Sequence, residues 1–452
     1  MSAFLADGPA AAGLSGLLLV VVIMAELWAR VGRPRPEWPR KLVHLGGGLL
    51  CLAFPFVLRS AWTVFVMSTT LSALFGWAAR RRFLKSLHSV ERRTRGSEYF
   101  PLAILLIFVL SQGRPWLYLC AVLVLVVSDA LAALVGSQYG VLRFEVEDET
   151  KSVEGSLVFF VCTFLAVHLP LLLMTDLARA RCVLAAVLVA LLVTGLEVVC
   201  LEGSDNLFVP LAVFAVLERF TAKPQGEIGD QSLGLIGGIL AIGALAWATR
   251  MFNVGGTLVL ILFACATWWL GSSAWTLPVL VSFALYVLSR SIVRVPREFA
   301  VHKVRVLTRV LVIPFGFLIL ANSLSKYRFF YGPYLAACGA ILALILWNDL
   351  VKSWGIAGWR RPLGALATGL ASGAAVVSLP WWLGAGGGAP ALMAVLLASA
   401  LMSVANDYLM GPEARFTPDG LWSPPRFFMT LVAAGLVALG EEGGFFSPWN
   451  PY

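Results

Sequence analysis

The chain has 452 residues, of which 59% are hydrophobic and only 13% are charged. So few polar side chains cannot cover the surface of a soluble globular protein, and the composition therefore predicts a membrane protein. The formal net charge is +9, which raises the question of nucleic-acid binding. We expect no nucleic-acid partner, because the Lys and Arg residues lie at the ends of apolar segments, where they mark one side of a membrane.

The apolar segments follow one another along the whole chain, and most have the length of about 20 residues that a transmembrane helix needs. They predict an all-α, polytopic integral membrane protein with about 14–16 transmembrane helices in two bundles. Two segments, 100–112 and 206–220, are short for a full span, so we expect them to be tilted, broken or re-entrant. The predicted helices cover residues 13–30, 41–58, 61–79, 100–112, 115–134, 157–175, 181–200, 206–220, 234–250, 254–270, 275–292, 306–322, 331–347, 362–382, 389–405 and 425–440.

The basic residues predict the orientation of these helices. With sixteen helices and the N-terminus outside, all the strongly basic segments fall on one side, and the loops on the other side carry at most one Arg. The positive-inside rule makes the basic side cytoplasmic, in a membrane of the bacterial cytoplasmic type. The polar loop 135–156 and the turn 202–206 fall on this cytoplasmic side. The basic segments are 30–41, 80–95, 294–305 and the stretch with Lys352, Arg360 and Arg361.

A polar stretch near residues 219–233, ERFTAKPQGEIGDQS, divides the chain. It is the longest polar break between helices that carries no obvious chemistry. The expected organisation is therefore a first bundle, 1–220, a polar connection, 221–233, and a second bundle, 234–452.

Asp129 stands beside Ser128 near the end of an apolar run in the first bundle. A carboxylate at membrane depth is costly, so such a residue is read first as a functional one. The alanines that follow allow neighbouring helices to approach closely, and Gly136 and Gly140 then allow the chain to turn.

A short polar loop with Lys151 at its centre leads into the next apolar run. Ser152 or Ser156 can cap the N-terminus of that helix, which would attract an anion. Lys151 adds a positive charge suited to a phosphate. Together with Asp129 as a metal ligand, these residues fit a site for a nucleoside triphosphate. The alternative is a solvated loop that precedes a capped helix.

Two further polar clusters belong to the first bundle. Asp205 and Asn206 stand together between apolar runs, and both residue types bind hard cations and hydroxyl groups; an ordinary turn is the other explanation. Arg40, Lys41 and His44 open the second predicted helix on nearly one face. Anchoring at the cytoplasmic side of the membrane is the other explanation for Arg40 and Lys41, but it accounts poorly for His44.

These pieces resemble the dolichol kinase/phytol kinase family, whose members are membrane enzymes that phosphorylate isoprenoid alcohols, typically with CTP. Each piece is short, but all five occur in the order of the family and cover about residues 26–215. The pieces are RKLVH (40–44), RGSEYFPLAI (95–104), SDALAALVGSQYG (128–140), KSVEGS (151–156) and GSDNLFVPL (203–211).

The resemblance implies a nucleotide site that faces the cytoplasm between helices. Asp129, Asp205 and Asn206 would act on a Mg²⁺ ion and the phosphates, and Arg40, Lys41 and His44 would lie near the transferring phosphate or the alcohol. The base that accepts the alcohol proton is left open among Asp129, Asp205 and His44. The residues implied for the nucleotide loop and its surroundings are Lys151, Ser152, Glu154, Gly155, Ser156, Gly136 and Gly140. One departure from the family is the acidic insert FEVEDET (144–150), where a shorter and more basic connection is expected.

The second bundle carries polar islands at helix ends. Asn348-Asp349 and Asn406-Asp407 echo the acidic residues of the first bundle, and His302 with Arg297 and Lys303 echoes His44. They suggest a diverged kinase-like module that arose by duplication; polar helix ends without catalytic function explain them equally well. The run SLGLIGGILAIGAL is also weakly similar to the phytyl-phosphate kinase family, which would add a second phosphorylation.

Two other functions compete with a CTP-dependent isoprenoid alcohol kinase. A cytidylyltransferase would use the same nucleotide to make a CDP-lipid, but it would release pyrophosphate. A lipid transporter or flippase would need polar groups near the middle of the membrane, whereas the polar motifs here cluster on one side. The sequence leaves the chain length of the alcohol and the oligomeric state open.

Overall fold

The computed structural model of the protein describes residues 2–32, 34, 37–81, 96–147, 149–223, 225–249, 251–292, 304–356, 358–409 and 424–451. The basic residues at 82–95 and the predicted trio Arg297, His302 and Lys303 lie outside these ranges. The described residues form two compact units, Met1–Ile228 and Gly229–Tyr452.

The first unit is helical apart from one short hairpin. Its helices are α1 (Ser2–Ala6), α2 (Gly8–Val31), α3 (Glu37–Cys51), α4 (Phe54–Val57), α5 (Ala61–Arg81), α6 (Gly96–Leu110), α7 (Pro115–Leu123), a π-helical segment (Val124–Ser128), α8 (Asp129–Tyr139), α9 (Val153–Met174), α10 (Arg179–Val199), α11 (Asp205–Ala222) and the first residues of α12 (Gln225–Thr249). The hairpin strands are β1 (Arg143–Val146) and β2 (Glu149–Ser152), which pair antiparallel with Arg143 opposite Ser152.

The second unit is a bundle centred on one long helix. Its core is built around α16 (Tyr327–Trp354), where Tyr331, Tyr334 and Ala336 are fully buried. Most of α12 belongs to this unit, and the other helices are α13 (Val254–Leu270), α14 (Ser273–Ile292), α15 (Val304–Leu324), α16 (Tyr327–Trp354), α17 (Arg360–Trp382), α18 (Ala389–Leu409) and α19 (Pro424–Glu442).

The helices confirm the prediction of an all-α, multi-pass membrane protein. Within the described ranges, eleven helical segments are long and apolar enough to cross a bilayer. Three shorter apolar helices accompany them, at Glu98–Leu110, Gly234–Thr249 and Val254–Leu270. The first of these is the short predicted segment 100–112, and the other two are predicted spans at 234–250 and 254–270.

The hairpin stands where the sequence predicts an irregular polar loop. Its strands are only four residues long, and a two-stranded ribbon of this size is not stable by itself in water. It is held here because Val146 is fully buried and because Ser152 ends β2 and caps α9, accepting a hydrogen bond from Gly155 N at 3.1 Å. Most of the acidic insert FEVEDET (144–150) therefore belongs to the two strands of this hairpin.

The N-terminus of the first unit is tied to α5 by one buried carboxylate. Asp7 is only 2% exposed, and its oxygens accept hydrogen bonds from Ser60 N at 2.8 Å and Thr63 Oγ1 at 2.9 Å. These bonds hold the backbone just before α5 and the hydroxyl of Thr63 in the first turn of that helix. The first turn of the chain is thus part of the fold.

Candidate functional site

A cavity of about 410 Å³ lies in the first unit where α3, α8, the hairpin, α9 and the start of α11 meet. The sequence analysis assigns most of its polar lining to a site. The predicted residues on its wall are Arg40, Lys41, Asp129, Gly136, Lys151, Ser152, Gly155, Ser156, Asp205 and Asn206. Residues separated by more than 160 positions in the chain thus share one chamber.

Asp129 begins α8 directly after the π-helical segment Val124–Ser128. A π segment holds an extra residue per turn, which shifts the direction of the side chains that follow it, and such segments are frequent at functional sites. Asp129 Oδ2 lies 2.6 Å from Lys41 Nζ of α3. The Lys41 side chain is 5% exposed and that of Asp129 is 20% exposed. The ion pair is therefore shielded from water on the lysine side and reaches the cavity on the aspartate side.

His44 stands behind this ion pair and is absent from the cavity wall. Its Nε2 lies 3.0 Å from the carbonyl oxygen of Leu125 and 3.3 Å from Asp129 Oδ2, and its ring meets Phe100 edge to face. His44 is thus placed to orient Asp129, and it reaches a bound substrate only through that carboxylate.

Lys151 is the second cation of the site, and it comes from the hairpin. Its Nζ lies 2.7 Å from Glu197 Oε1 and also donates a hydrogen bond to the backbone carbonyl of Glu197. Burial works against the charged form of Lys151, but the charge of Glu197, its hydrogen bond and the charge of Asp205 together outweigh it and hold the pKa of the ammonium above its ordinary value. Lys151 therefore stays charged at the cavity wall.

The start of α9 is built for close contact with α8. A Cβ atom on Gly155 would lie 3.2 Å from the Ala132 carbonyl oxygen and 3.2 Å from Gly136 Cα. The absence of side chains at Gly136 and Gly155 lets the two helix backbones touch. The N-terminus of α9, with Ser152 and Ser156 beside it, consequently faces the cavity, where its partial positive charge favours an anion.

Two residues of the predicted nucleotide loop, Glu154 and Gly140, lie outside the cavity wall. Glu154 Oε1 accepts a hydrogen bond from Leu142 N at 3.0 Å, so this carboxylate braces the base of the hairpin. Gly140 packs against Ser152, whose Cβ would lie 2.7 Å from a Cβ at position 140. Neither residue is part of the cavity wall; their effect on a ligand is through the position of the hairpin.

Asp205 and Asn206 begin α11 on the opposite wall. Asp205 Oδ1 and Asn206 Oδ1 are both buried and accept no hydrogen bond, which is costly unless a ligand satisfies them. Burial, followed by the charge of Asp129, raises the pKa of Asp205 to about 6. A divalent cation fits this pair, because oxygen atoms are the ligands that Mg²⁺ prefers. No group of three or more His, Cys, Asp or Glu residues in the described part of the chain could hold a metal. A Mg²⁺ ion at Asp205 and Asn206 would take its remaining ligands from water or from a bound phosphate.

The charges of the cavity wall balance. Four cationic side chains, Arg40, Lys41, Arg143 and Lys151, face four carboxylates, Asp129, Glu149, Glu197 and Asp205. A polyphosphate would bring several negative charges into a neutral chamber. It therefore needs an accompanying cation to enter favourably.

Nine wall residues were not among the predicted site residues, and three of them, Arg143, Glu149 and Glu197, are charged. Glu197 was the most accessible to prediction, because it is a lone carboxylate near the end of an apolar run, the same signal that marks Asp129. Arg143, Glu149 and Thr150 belong to the hairpin that was predicted as a loop. Glu149 also accepts a hydrogen bond from Glu202 N at 3.2 Å, which ties the hairpin to the turn before α11.

The fold and the cavity define a multi-pass membrane protein with a charged chamber in its first helical unit. The chain is 33% identical over 204 residues to a phytol kinase from a Synechocystis species, and the match covers 44% of this chain and 87% of that protein. No protein-family model matches the chain, and no solved structure matches it significantly. The chain belongs, through its N-terminal part, to the phytol kinase family, which confirms the resemblance described above.

Proposed function

We propose that the first unit transfers the terminal phosphate of CTP to an isoprenoid alcohol of the phytol, geranylgeraniol or polyprenol type, with Mg²⁺ as the cation. The name of the related Synechocystis protein supports a kinase for such an alcohol. The observation that carries the proposal is the joining of Asp129, Lys41, Lys151, Asp205 and Asn206 around one cavity. Cations, a helix N-terminus and cation-binding oxygens are the groups that phosphoryl transfer requires.

In the proposed reaction, the alcohol oxygen forms a bond to the γ-phosphorus of CTP. The bond between that phosphorus and the oxygen bridging to the β-phosphate breaks, and CDP leaves. The proton of the alcohol passes to a protein base. Asp129 is the best placed of the three candidates, because it reaches the cavity and His44 lies behind it; Asp205 is the alternative across the chamber.

The remaining wall residues position the phosphates and neutralise their charge. Lys41, Arg40 and Lys151 provide fixed positive charges, and the N-terminus of α9 provides backbone donors. Asp205 and Asn206, with their buried oxygens, would hold the metal. Mg²⁺, when bound, would draw negative charge from the β- and γ-phosphates.

The experiment that tests this function is a transfer assay with the purified full-length protein. The protein would be incubated with Mg²⁺, a panel of isoprenoid alcohols and CTP that is radioactive at the γ-phosphate, with Asp129→Asn as the inactive control. Label in a lipid monophosphate, lost in the variant, is the expected result. A parallel reaction with a lipid phosphate and CTP that is radioactive at the α-phosphate tests the alternative. Label that enters the lipid only in that reaction, with release of pyrophosphate, would identify a cytidylyltransferase instead. No labelled lipid from any alcohol or nucleotide would reject the kinase and bring a transporter forward.

The same assay tests the proposal that the second unit adds another phosphate. There, Asp349 pairs with Arg290 at 3.0 Å and Asp407 pairs with Arg361 at 2.9 Å. Each helix-end aspartate thus lies beside a cation from a neighbouring helix, as Asp129 lies beside Lys41. A labelled lipid diphosphate that disappears in Asp349→Asn would support a second active site. A monophosphate as the final product would leave these pairs a structural role.

A further inference from the structure

An open aromatic slot adjoins the charged cavity of the first unit. It has a volume of about 620 Å³ and is lined by Trp28, Pro34, Trp38, Gln138 and Tyr139. The rings are accessible, with 39% of Trp28, 37% of Trp38 and 69% of Tyr139 exposed. Three rings from three helices, α2, α3 and α8, therefore converge on one space together with a side-chain amide.

Residues close together on two helices line the slot and the cavity. On α8, Ser137 lines the cavity and the next residues, Gln138 and Tyr139, line the slot. On α3, Trp38 lines the slot and Arg40, two positions later, lines the cavity. The ten residue steps from Asp129 to Tyr139 span about 15 Å along the helix. That distance is similar to the length of an extended nucleoside triphosphate from its terminal phosphate to its base.

We propose that this slot binds the base of the nucleotide whose phosphates occupy the cavity, an inference that rests on the proposed function. Aromatic side chains stack on the flat face of any base, and an amide such as that of Gln138 can donate to and accept from its polar edge. Exposed Trp and Tyr residues at helix ends also serve as membrane anchors. An anchor needs one ring directed outward, however, as in Trp62, which is 69% exposed and whose ring meets that of its helix neighbour Phe65 edge to face. The slot instead surrounds a space beside the phosphate site.

A slot for the isoprenoid chain is the competing assignment. Gln138 argues against it, because an apolar chain would cover the amide without offering it a hydrogen bond. The two assignments predict effects on different substrates and can be separated by experiment.

The test compares the binding of CTP with that of inorganic tripolyphosphate, which has the phosphates but no base. Equilibrium binding would be measured in the presence of Mg²⁺ with the full-length protein in detergent. We expect Trp38→Ala and Tyr139→Ala to bind CTP about 5- to 150-fold more weakly, the range for loss of one stacking contact, and to bind tripolyphosphate normally. Trp38→Phe, which keeps an aromatic face, should retain most of the affinity for CTP and so show that the slot variants fold. Trp62→Ala is the matched control and should bind both ligands as the unaltered protein does.

Three outcomes would overturn the inference in different ways. If the slot variants bind CTP normally but need more alcohol for half-maximal transfer, the slot belongs to the lipid and the kinase stands. If the unaltered protein binds neither CTP nor tripolyphosphate and transfers no phosphate, the proposed function and the slot assignment both fail. Equal loss of CTP and tripolyphosphate binding in the slot variants would assign the rings a purely structural role.

Discussion

Lys151 of the hairpin and Glu197 at the end of α10 form an ion pair with 2.7 Å between Nζ and Oε1. Their side chains are 13% and 16% exposed, so the pair is partly shielded where it meets the cavity. The pair joins a surface hairpin to a helix of the bundle, and it fixes the position of the cation that we assign to the phosphates. Glu197 is therefore a positioning residue for Lys151.

Replacing Glu197 with Gln keeps the shape of the side chain and removes its charge. We expect kcat/KM for phosphate transfer to fall by about 100-fold, the effect of displacing a catalytic cation by about an ångström. The measurement is steady-state transfer to an isoprenoid alcohol at several CTP concentrations, combined with binding of tripolyphosphate.

The matched control for this variant is Glu218→Gln. Like Glu197, Glu218 forms an ion pair at 2.7 Å, in this case with Arg114. Its side chain is 44% exposed, however, and it is not part of the cavity wall. Exposed pairs of this kind contribute little to stability, so the control should keep full activity. Unchanged activity in Glu197→Gln would show that Lys151 does not need its partner.

The buried pair Lys41–Asp129 leads to a prediction about stability and activity together. Lys41→Met leaves the Asp129 carboxylate without its closest cation, and breaking a buried pair in this way costs about 3–5 kcal/mol. The double variant Lys41→Met with Asp129→Asn has no such uncompensated charge, so it should regain most of the stability. It should remain inactive, because it lacks both the cation and the proposed base.

Thermal unfolding in detergent and the transfer assay measure these two effects separately. The apparent Tm should fall clearly in Lys41→Met and recover in the double variant. Transfer activity in the double variant would contradict the catalytic role of the pair and leave it a structural one.

The sequence alone predicts two features, the functional importance of Asp129 and the membrane-spanning helices. Asp129 was predictable because a carboxylate within an apolar run is rarely tolerated without a role, and the long apolar helices follow from the thickness of a bilayer. Their association around one cavity was not derivable from spacing, because Lys41 and Asp129 are 88 positions apart in the chain. It was the family resemblance that placed them together.

The hairpin and the position of His44 behind the cavity wall could not be predicted from the sequence, for physical reasons. Four-residue strands carry too few alternations of apolar and charged residues to be distinguished from a loop. His44 shares a helix face with Lys41, so the pattern placed both in the site. Packing decided that only Lys41 reaches the wall, while the His44 ring turned toward Phe100 and the Leu125 carbonyl.

The contact between α8 and α9 predicts a sensitive position at Gly155. A methyl group there would meet Ser152 Oγ at 3.0 Å and the Ala132 carbonyl oxygen at 3.2 Å. Gly155→Ala should therefore separate the helices slightly and move the N-terminus of α9 away from its ligand. We expect a loss of about 1–3 kcal/mol in stability, as for other overpacked contacts, and a higher KM for CTP.

The control for this variant is Gly16→Ala, because no neighbouring group lies within 4 Å of the carbon that it adds on α2. A normal KM in Gly155→Ala would exclude the contact at Gly155 as part of the nucleotide site.

The proposed metal ligands Asp205 and Asn206 lead to a prediction about the Mg²⁺ requirement of the transfer reaction. If their buried oxygens hold Mg²⁺, Asp205→Asn removes one charge from the coordination and weakens metal binding, because a neutral amide is a poorer ligand than a carboxylate for a hard cation. We expect the Mg²⁺ concentration for half-maximal transfer to rise by about tenfold or more, a loss of about 1.4 kcal/mol or more, while addition of a chelator should abolish transfer in the unaltered protein. The comparison is Lys151→Ala, which should lower the rate at every Mg²⁺ concentration without a similar shift in the metal requirement. A Mg²⁺ dependence of Asp205→Asn that matches the unaltered protein would remove Asp205 from the metal site and leave its raised pKa a consequence of burial beside Asp129.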